Sequence, residues 1–131
     1  RIDKILNNRL KNKNITFLGV TFKPNTDDMR EASSIPMINY LNKKGSKIRY
    51  YDPSGRKKEF DKLKNVKFYS SISSACIKSD LIIIHTEWNA FKLLDFKRLV
   101  KKKNFKVFDM RNIYSQDKMR DLRIDYTSIG R

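Results

Sequence analysis

The apolar residues of this chain fall into short runs, separated by polar stretches in which apolar residues recur at helical spacing. Six runs rich in β-branched and aromatic residues predict strands. They are Ile15 to Val20, Lys47 to Tyr51, Val66 to Tyr69, Leu81 to His85, Lys106 to Phe108, and the less apolar Asp125 to Ser128. The unbroken run Ile82 to Ile84 is typical of a strand buried on both faces. This alternation predicts an α/β fold: a doubly wound, mainly parallel, Rossmann-like sheet with helices on both faces.

The stretches between the predicted strands contain residues that typically begin or end helices. Ser33 and Ser34 offer N-cap hydroxyls, Pro36 suits a first helical turn, and Gly45 marks a helix end. Further helical segments are predicted at Ser71 to Ile77, at Asn89 to Lys102 with a break near Asp95, and at Tyr114 to Leu122.

The first dozen residues predict a separate short element. Ile2, Ile5, Leu6 and Leu10 are spaced like the end of a helix. Residues 1–12 are therefore expected to be the tail of a linking helix and residues 13–131 the domain proper. We expect the chain to be a piece of a longer protein.

Length and composition limit the class of protein. A chain of 131 residues with 39% hydrophobic content fits one compact domain. No apolar run approaches the roughly 20 residues that span a bilayer, and the amino terminus lacks the apolar core of a signal peptide. With one cysteine, Cys76, and one histidine, His85, neither a disulfide nor a metal cluster is expected. We expect a cytoplasmic protein with no membrane contact.

The net charge of +16, from 30 Lys and Arg against 14 Asp and Glu, has two interpretations. The favoured one is a solvated surface whose exposed positions have become enriched in Lys and Asn. The other is a face that attracts anions. No zinc-finger, helix-turn-helix or RNP-type aromatic motif is present, so nucleic acid is not an expected partner. A basic nucleic-acid-binding module remains an alternative.

The loops that follow the predicted strands hold the candidate chemistry, because ligands of open parallel sheets bind beyond the carboxyl ends of the strands. These loops are Val20 to Arg30, Asp52 to Gly55, His85 to Asn89 and Asp109 to Asn112. The first of them lacks the G-x-G-x-x-G spacing that wraps a dinucleotide pyrophosphate. A dinucleotide fingerprint is therefore absent.

The first loop and its continuation are dense in charge, with Lys23, Asp27, Asp28, Arg30 and Glu31 just ahead of a helix. Such a cluster can be a phosphate site at a helix amino terminus or a surface ion-pair network, and spacing alone favours neither. Arg111, in the last of the loops, adds a guanidinium fork that could clamp a carboxylate or phosphate.

Four residues have a plain structural interpretation that we prefer to a chemical one. Trp88 is expected to pack rather than to stack on a base, and Glu87 to cap the next helix rather than act as a general base. His85 is expected to be a packed strand-end residue rather than a ligand. Cys76 is expected to be a small buried apolar residue rather than a nucleophile.

Five segments carry a resemblance to a known family. They are GVTFKPNTDDMRE at 19–31, YDP at 51–53, TEWNAF at 86–91, DMRN at 109–112 and SIGR at 128–131. Their order and spacing resemble the carboxy-terminal, UDP-binding domain of the UDP-glucose/GDP-mannose dehydrogenase family over residues 14–131. The TEW segment and the Asp-x-Arg-Asn turn resemble the UDP-glucose branch rather than the N-acetylated UDP-sugar or GDP-mannose branches. A dehydrogenase for another nucleotide sugar is the alternative.

The resemblance implies an enzyme that oxidises UDP-glucose to UDP-glucuronate with NAD, in two steps through cysteine-bound intermediates, as a homo-oligomer. It implies that Phe22, Lys23 and Arg111 contact the substrate and that Arg30 lies towards NAD. The family's catalytic cysteine and its G-x-G-x-x-G belong to an amino-terminal portion, and neither motif occurs here. We therefore expect no catalytic residue in this segment, and an NAD-binding amino-terminal domain as its partner.

Overall fold

The computed structural model describes residues 1–131. The strands are β1 (Asn14–Leu18), β2 (Lys47–Tyr51), β3 (Val66–Phe68), β4 (Leu81–Ile84), β5 (Lys106–Asp109) and β6 (Asp125–Ser128). The α-helices are α1 (Ile2–Ile5), α2 (Ser34–Lys43), α3 (Ile72–Cys76), α4 (Phe96–Val100) and α5 (Gln116–Asp121), with 3-10 turns at Lys58–Phe60 and Asn89–Phe91. The predicted strands are all confirmed, within two residues at each end.

The strands form one parallel sheet in the order β3-β2-β1-β4-β5-β6. The chain runs outward from β1 to β3, crosses back, and continues outward from β4 to β6. The strand order therefore reverses between β1 and β4, and the crevice at their carboxyl ends is where such sheets bind ligands. This confirms the predicted doubly wound sheet.

Side chains of the central strands alternate between two cores on opposite faces of the sheet. Phe17 lies in the core covered by α1 and α2, and the next residue, Leu18, lies in the core covered by α3, α4 and α5. All four residues of β4 are fully buried, which explains the unbroken apolar run at Ile82 to Ile84. Burying one such side chain contributes about 1.5–3 kcal/mol.

The predicted break near Asp95 is confirmed. The segment divides into the 3-10 turn Asn89–Phe91 and α4, and the Asp95 carboxylate caps α4 by accepting from the Arg98 amide at 3.4 Å. None of the helices has the length and apolar character that a membrane crossing requires.

The first helix is shorter than its apolar spacing predicts. α1 ends at Ile5 because Asn7 and Asn8 adopt left-handed conformations, with φ of 54° and 60°. Leu10, five residues beyond the end of α1, is nevertheless buried in the same core as Ile2. The apolar spacing therefore reports burial here, but not a continuous helix.

The predicted hydroxyl cap of α2 is wrong. Ser33 occupies the N-cap position without a capping hydrogen bond, and its Oγ lies 2.9 Å from Nε2 of His85. The Ser34 hydroxyl donates to the Val20 carbonyl at 2.5 Å. Because the amino end of α2 packs against the carboxyl ends of β1 and β4, both hydroxyls find partners across the fold. Pro36 does lie in the first turn, as predicted, and Gly45 follows the helix with φ of 86°.

Candidate functional site

An open cleft of about 440 Å³ lies at the carboxyl ends of the central strands. Loops after β1, β4 and β5 and the start of α2 meet there. The lining side chains comprise two cations, two carboxylates, one hydroxyl, an exposed aromatic ring and a proline. They are Lys23, Arg111, Glu31, Glu87, Ser33, Phe22 and Pro24. The structure thus brings together the three predicted substrate contacts, Phe22, Lys23 and Arg111, and it leaves Arg30 outside the lining.

The turn after β1 is held by a buried carboxylate. Asp52, 1% exposed, accepts from the backbone amides of Val20 at 2.8 Å and Thr21 at 3.3 Å. Its other oxygen accepts from the amide and hydroxyl of Ser54. In dinucleotide-binding folds the turn after the first strand lies against the pyrophosphate. Because Asp52 already occupies these amides, the turn is not available to a pyrophosphate, which agrees with the missing glycine pattern.

Gly19 allows the loops after β1 and β4 to approach each other. Its φ is 80°, and a Cβ placed on it would lie 2.6 Å from Cβ of Thr86. A side chain here would meet both a strained backbone and a collision. This close contact holds together the two loops that contribute residues to the cleft.

The backbone of Lys23 is anchored from the loop after β4. The indole Nε1 of Trp88 donates to the Thr21 hydroxyl at 3.3 Å, and that hydroxyl donates to the Lys23 carbonyl at 3.1 Å. Phe22 donates its amide to the carbonyl of Asp28 at 3.0 Å. Trp88 also packs against the second core, so its predicted packing role is confirmed. The loop is fixed while the Lys23 side chain stays exposed at the cleft.

Arg111 is anchored at its inner end. Its Nε donates to the His85 carbonyl at 2.7 Å, and its amide donates to the fully buried carboxylate of Asp109 at 3.0 Å. Asp109 also accepts from the amides of the following turn and from the Tyr126 hydroxyl. These contacts use Nε but neither terminal nitrogen of Arg111, so the guanidinium keeps donors for an anion.

His85 lies directly behind the cleft and is fully buried. Its Nδ1 is 2.9 Å from the Thr86 hydroxyl and its Nε2 is 2.9 Å from the Ser33 hydroxyl. Burial, and secondarily the charge of Arg111, lowers the pKa of the imidazole from 6.5 to about 4. His85 is therefore neutral at pH 7, and the prediction of a packed strand-end residue is confirmed.

The charged residues of the first loop divide between a surface ion pair and the lining of the cleft. Arg30 and Asp28 form a bidentate pair with both contacts at 3.1 Å, while the Arg30 side chain stays 89% exposed. The hydrogen bond from Arg30 lowers the pKa of the Asp28 carboxyl. Arg30 thus belongs to a surface ion pair, whereas Lys23 and Glu31 face the cleft.

The prediction that Glu87 caps a helix is wrong. The N-cap position of the following turn is Trp88, which forms no side-chain cap, and Glu87 lines the cleft instead. The 3-10 turn begins at Asn89, two residues after Glu87, so the cap position falls on Trp88. The prediction for Cys76 is confirmed, since the thiol is fully buried and burial raises its pKa to about 12.

Sequence reasoning missed the polar residues that support the cleft. Thr21, Thr86 and Ser33 are linked to partners across the sheet edge, and Ser33 lies 52 residues from His85 in the chain. The only signal for Thr21 and Thr86 is their position in loops at the predicted ligand edge, whereas the sequence marks Ser33 only as an N-cap candidate.

The chain matches a family model. Residues 16–116 match the UDP-glucose/GDP-mannose dehydrogenase family, UDP binding domain. Among curated relatives, UDP-glucose 6-dehydrogenase of Rhizobium meliloti (strain 1021) is 37% identical over 125 residues, covering 93% of this chain and 28% of the relative. UDP-glucose 6-dehydrogenase of Rickettsia bellii (strain RML369-C) is 35% identical over 134 residues, covering 99% of this chain and 31% of the relative. The chain thus spans about three-tenths of the length of these relatives.

Solved structures show the same architecture. A UDP-glucose dehydrogenase from Pyrobaculum islandicum superposes with a TM-score of 0.72 at 25% identity, covering 95% of this chain and 27% of that one. An NDP-N-acetyl-D-galactosaminuronic acid dehydrogenase from Methanosarcina mazei Go1 superposes with a TM-score of 0.82, covering 98% of this chain and 27% of that one. At 22% identity, the second likeness shows the fold alone. With the family match over most of its length, the chain belongs to the UDP-glucose/GDP-mannose dehydrogenase family, and it corresponds to the UDP binding domain of that family.

Proposed function

We propose that the cleft binds UDP-glucose, and that this domain is the substrate-binding part of an NAD-dependent dehydrogenase that forms UDP-glucuronate. The observation that carries the proposal is the convergence of Lys23 and Arg111 on one cleft at the point where the strand order reverses. Cations fixed at this position suit the diphosphate of a nucleotide sugar.

The lining offers partners for each part of such a ligand. Lys23 supplies a compact charge and Arg111 a planar fork, and both favour phosphate oxygens. Phe22, 45% exposed, offers an apolar ring face against which a uracil or sugar ring can pack. Glu31, Glu87 and Ser33 offer oxygen acceptors for hydroxyl groups.

Arg30 is our candidate for contact with NAD, which would accept hydride from the substrate. Its guanidinium projects outside the cleft, and a cofactor phosphate would compete with the Asp28 carboxylate for it. The turn after β1 does not fit a dinucleotide, because Asp52 occupies its amides. NAD is therefore proposed to lie on another domain of the full-length enzyme. We assign no catalytic residue to this segment.

The choice of UDP-glucose over other nucleotide sugars follows the sequence relatives. Those named UDP-glucose 6-dehydrogenase are 37% and 35% identical to this chain. The alternative is a UDP-N-acetyl sugar or GDP-mannose. Comparing kcat/KM for the three substrates with the full-length enzyme decides between them, and a preference for either alternative would reassign the substrate without changing the domain.

The cation assignment is tested by Lys23→Ala and Arg111→Ala, with Lys103→Ala as the matched control. Lys103 is an exposed lysine at the opposite, amino edge of the sheet. Loss of one charge-assisted hydrogen bond is worth about 1.5–3 kcal/mol, so each site variant should weaken UDP-glucose binding roughly tenfold or more. In the full-length enzyme, Lys23→Ala should lower kcat/KM and Arg111→Ala should mainly raise KM.

Binding can be measured from the melting temperature of the chain over a UDP-glucose titration to millimolar concentration. Lys103→Ala should match the wild type. Equal losses in all three variants would show that net charge, and not this cleft, attracts the ligand. If UDP-glucose does not raise the melting temperature of the wild-type chain, the proposal is refuted.

A further inference from the structure

A chain of hydrogen bonds runs from the buried interior to the cleft. The Thr86 hydroxyl donates to the Thr21 carbonyl at 2.8 Å. Nδ1 of His85 lies 2.9 Å from the same hydroxyl, and Nε2 lies 2.9 Å from the hydroxyl of Ser33. Ser33 is exposed and lines the cleft, so this chain of contacts ends at the ligand site.

The direction of each hydrogen bond follows from the number of protons available. The Thr21 carbonyl can only accept, so it takes the single hydroxyl proton of Thr86. Thr86 must then accept from His85, which places the imidazole proton on Nδ1. A neutral imidazole carries one N–H, so Nε2 is an acceptor and the Ser33 hydroxyl donates to it.

These directions fix Ser33 as a hydrogen-bond donor to His85 and as an acceptor towards the cleft. Its only proton is committed to His85, and its oxygen can only accept from the side of the cleft. We propose that Ser33 is a substrate-positioning residue that accepts a hydrogen bond from a hydroxyl of the bound nucleotide sugar. This assignment rests on the proposed function. Lys23 and Arg111 are donors for the phosphates, so an acceptor beside them is matched to the glycosyl or ribosyl hydroxyls.

The same geometry argues against a nucleophilic serine. Transfer of the Ser33 proton would create an imidazolium that is fully buried beside Arg111, with no carboxylate hydrogen-bonded to the ring. The charge of Asp52 favours the imidazolium, but burial and the charge of Arg111 outweigh it. Burial and the Arg111 charge already lower the pKa of His85 to about 4. The imidazole therefore orients the Ser33 hydroxyl and does not act as a base.

The first test concerns the ligand-free chain. His85 is the single histidine, so its imidazole ¹⁵N chemical shifts report the tautomer without assignment ambiguity. The expected result is a proton on Nδ1 and an unprotonated Nε2 at pH 7. A proton on Nε2 would reverse the polarity of Ser33 and overturn the proposal.

The second test compares wild type, Ser33→Ala and Ser33→Thr with three probes, UDP-glucose, UDP and inorganic pyrophosphate. We expect Ser33→Ala to weaken UDP-glucose binding roughly three- to tenfold, the range for one neutral hydrogen bond. Pyrophosphate, which has no sugar, should bind wild type and Ser33→Ala equally, and Ser33→Thr should restore UDP-glucose binding. A loss for UDP-glucose alone identifies a glycosyl hydroxyl, and an equal loss for UDP identifies a ribosyl hydroxyl.

Two outcomes overturn the assignment while leaving the proposed function intact. One is wild-type affinity of Ser33→Ala for UDP-glucose. The other is an equal loss of pyrophosphate binding, which would indicate that Ser33 only supports the shape of the cleft. Absence of UDP-glucose binding by the wild type would instead refute the proposed function, and with it the role of Ser33.

Discussion

His85 shows how far the identity of a residue can predict its role. A lone histidine at a strand end suggests packing, and the structure confirms a fully buried ring. What the sequence does not contain is its pairing with Ser33, because a contact across 52 residues depends on how α2 meets the ends of β1 and β4. The same limit explains why the predicted hydroxyl cap at Ser33 is wrong.

The depressed pKa of His85 predicts a dependence of stability on pH. The folded value of about 4 lies below the ordinary 6.5, so the unfolded chain takes up a proton first as the pH falls. Stabilisation from neutral His85 is complete above pH 6.5 and is lost as the pH falls towards 4. The loss should amount to about 3 kcal/mol.

NMR titration of the single imidazole checks this prediction directly, because its signals are observed separately from those of the carboxylates that titrate in the same pH range. A pKa near 6.5 in the folded chain would show that the ring is solvated. Denaturant unfolding at several pH values provides the second measurement.

At the scale of elements, apolar periodicity was sufficient for the sheet. A fully buried strand such as β4 is recognisable in the sequence as an unbroken run of apolar residues. All six strands are predicted from runs rich in β-branched and aromatic residues. Helix bounds were less predictable, because α1 ends at two asparagines in left-handed conformations and the 3-10 turn Asn89–Phe91 displaced the expected Glu87 cap. Local conformation at single residues decided these cases.

Gly19 provides a prediction for the contact between the loops after β1 and β4. Gly19→Ala should destabilise the chain by about 2–4 kcal/mol, because the new Cβ would meet Thr86 at 2.6 Å on a backbone with φ of 80°. Gly55→Ala is the matched control, since its φ is also positive, at 99°, but no atom lies within 4 Å of the added Cβ. The control should cost only the backbone strain, about 1–2 kcal/mol.

Denaturant midpoints of the two variants give the comparison. Equal losses would mean that the backbone conformation accounts for the whole effect, and that the packing of Gly19 against Thr86 contributes nothing.

At the scale of the whole molecule, the net charge of +16 is not concentrated at the cleft. A concavity of about 1060 Å³ lies at the amino edge of the sheet and is lined by the cations Lys97, Lys101, Lys102, Lys103, Lys106 and Arg123. Two of these are paired, Lys102 with Asp80 and Lys106 with Asp125. The others sit on an exposed surface, as expected of a solvated basic face. A nucleic-acid-binding module would instead bind duplex DNA with an affinity that falls steeply with salt.

A ligand site at the carboxyl edge of the sheet and one at the amino edge would give different results in a single experiment. That experiment is a titration of the ¹⁵N-labelled chain with UDP-glucose at physiological salt. We expect saturable amide shift changes centred on Phe22, Lys23, Ser33 and Arg111, at the carboxyl edge where the strand order reverses. Changes confined to the lysine-rich segment 101–106, or no changes at millimolar ligand, would contradict the assignment of this cleft as the nucleotide-sugar site.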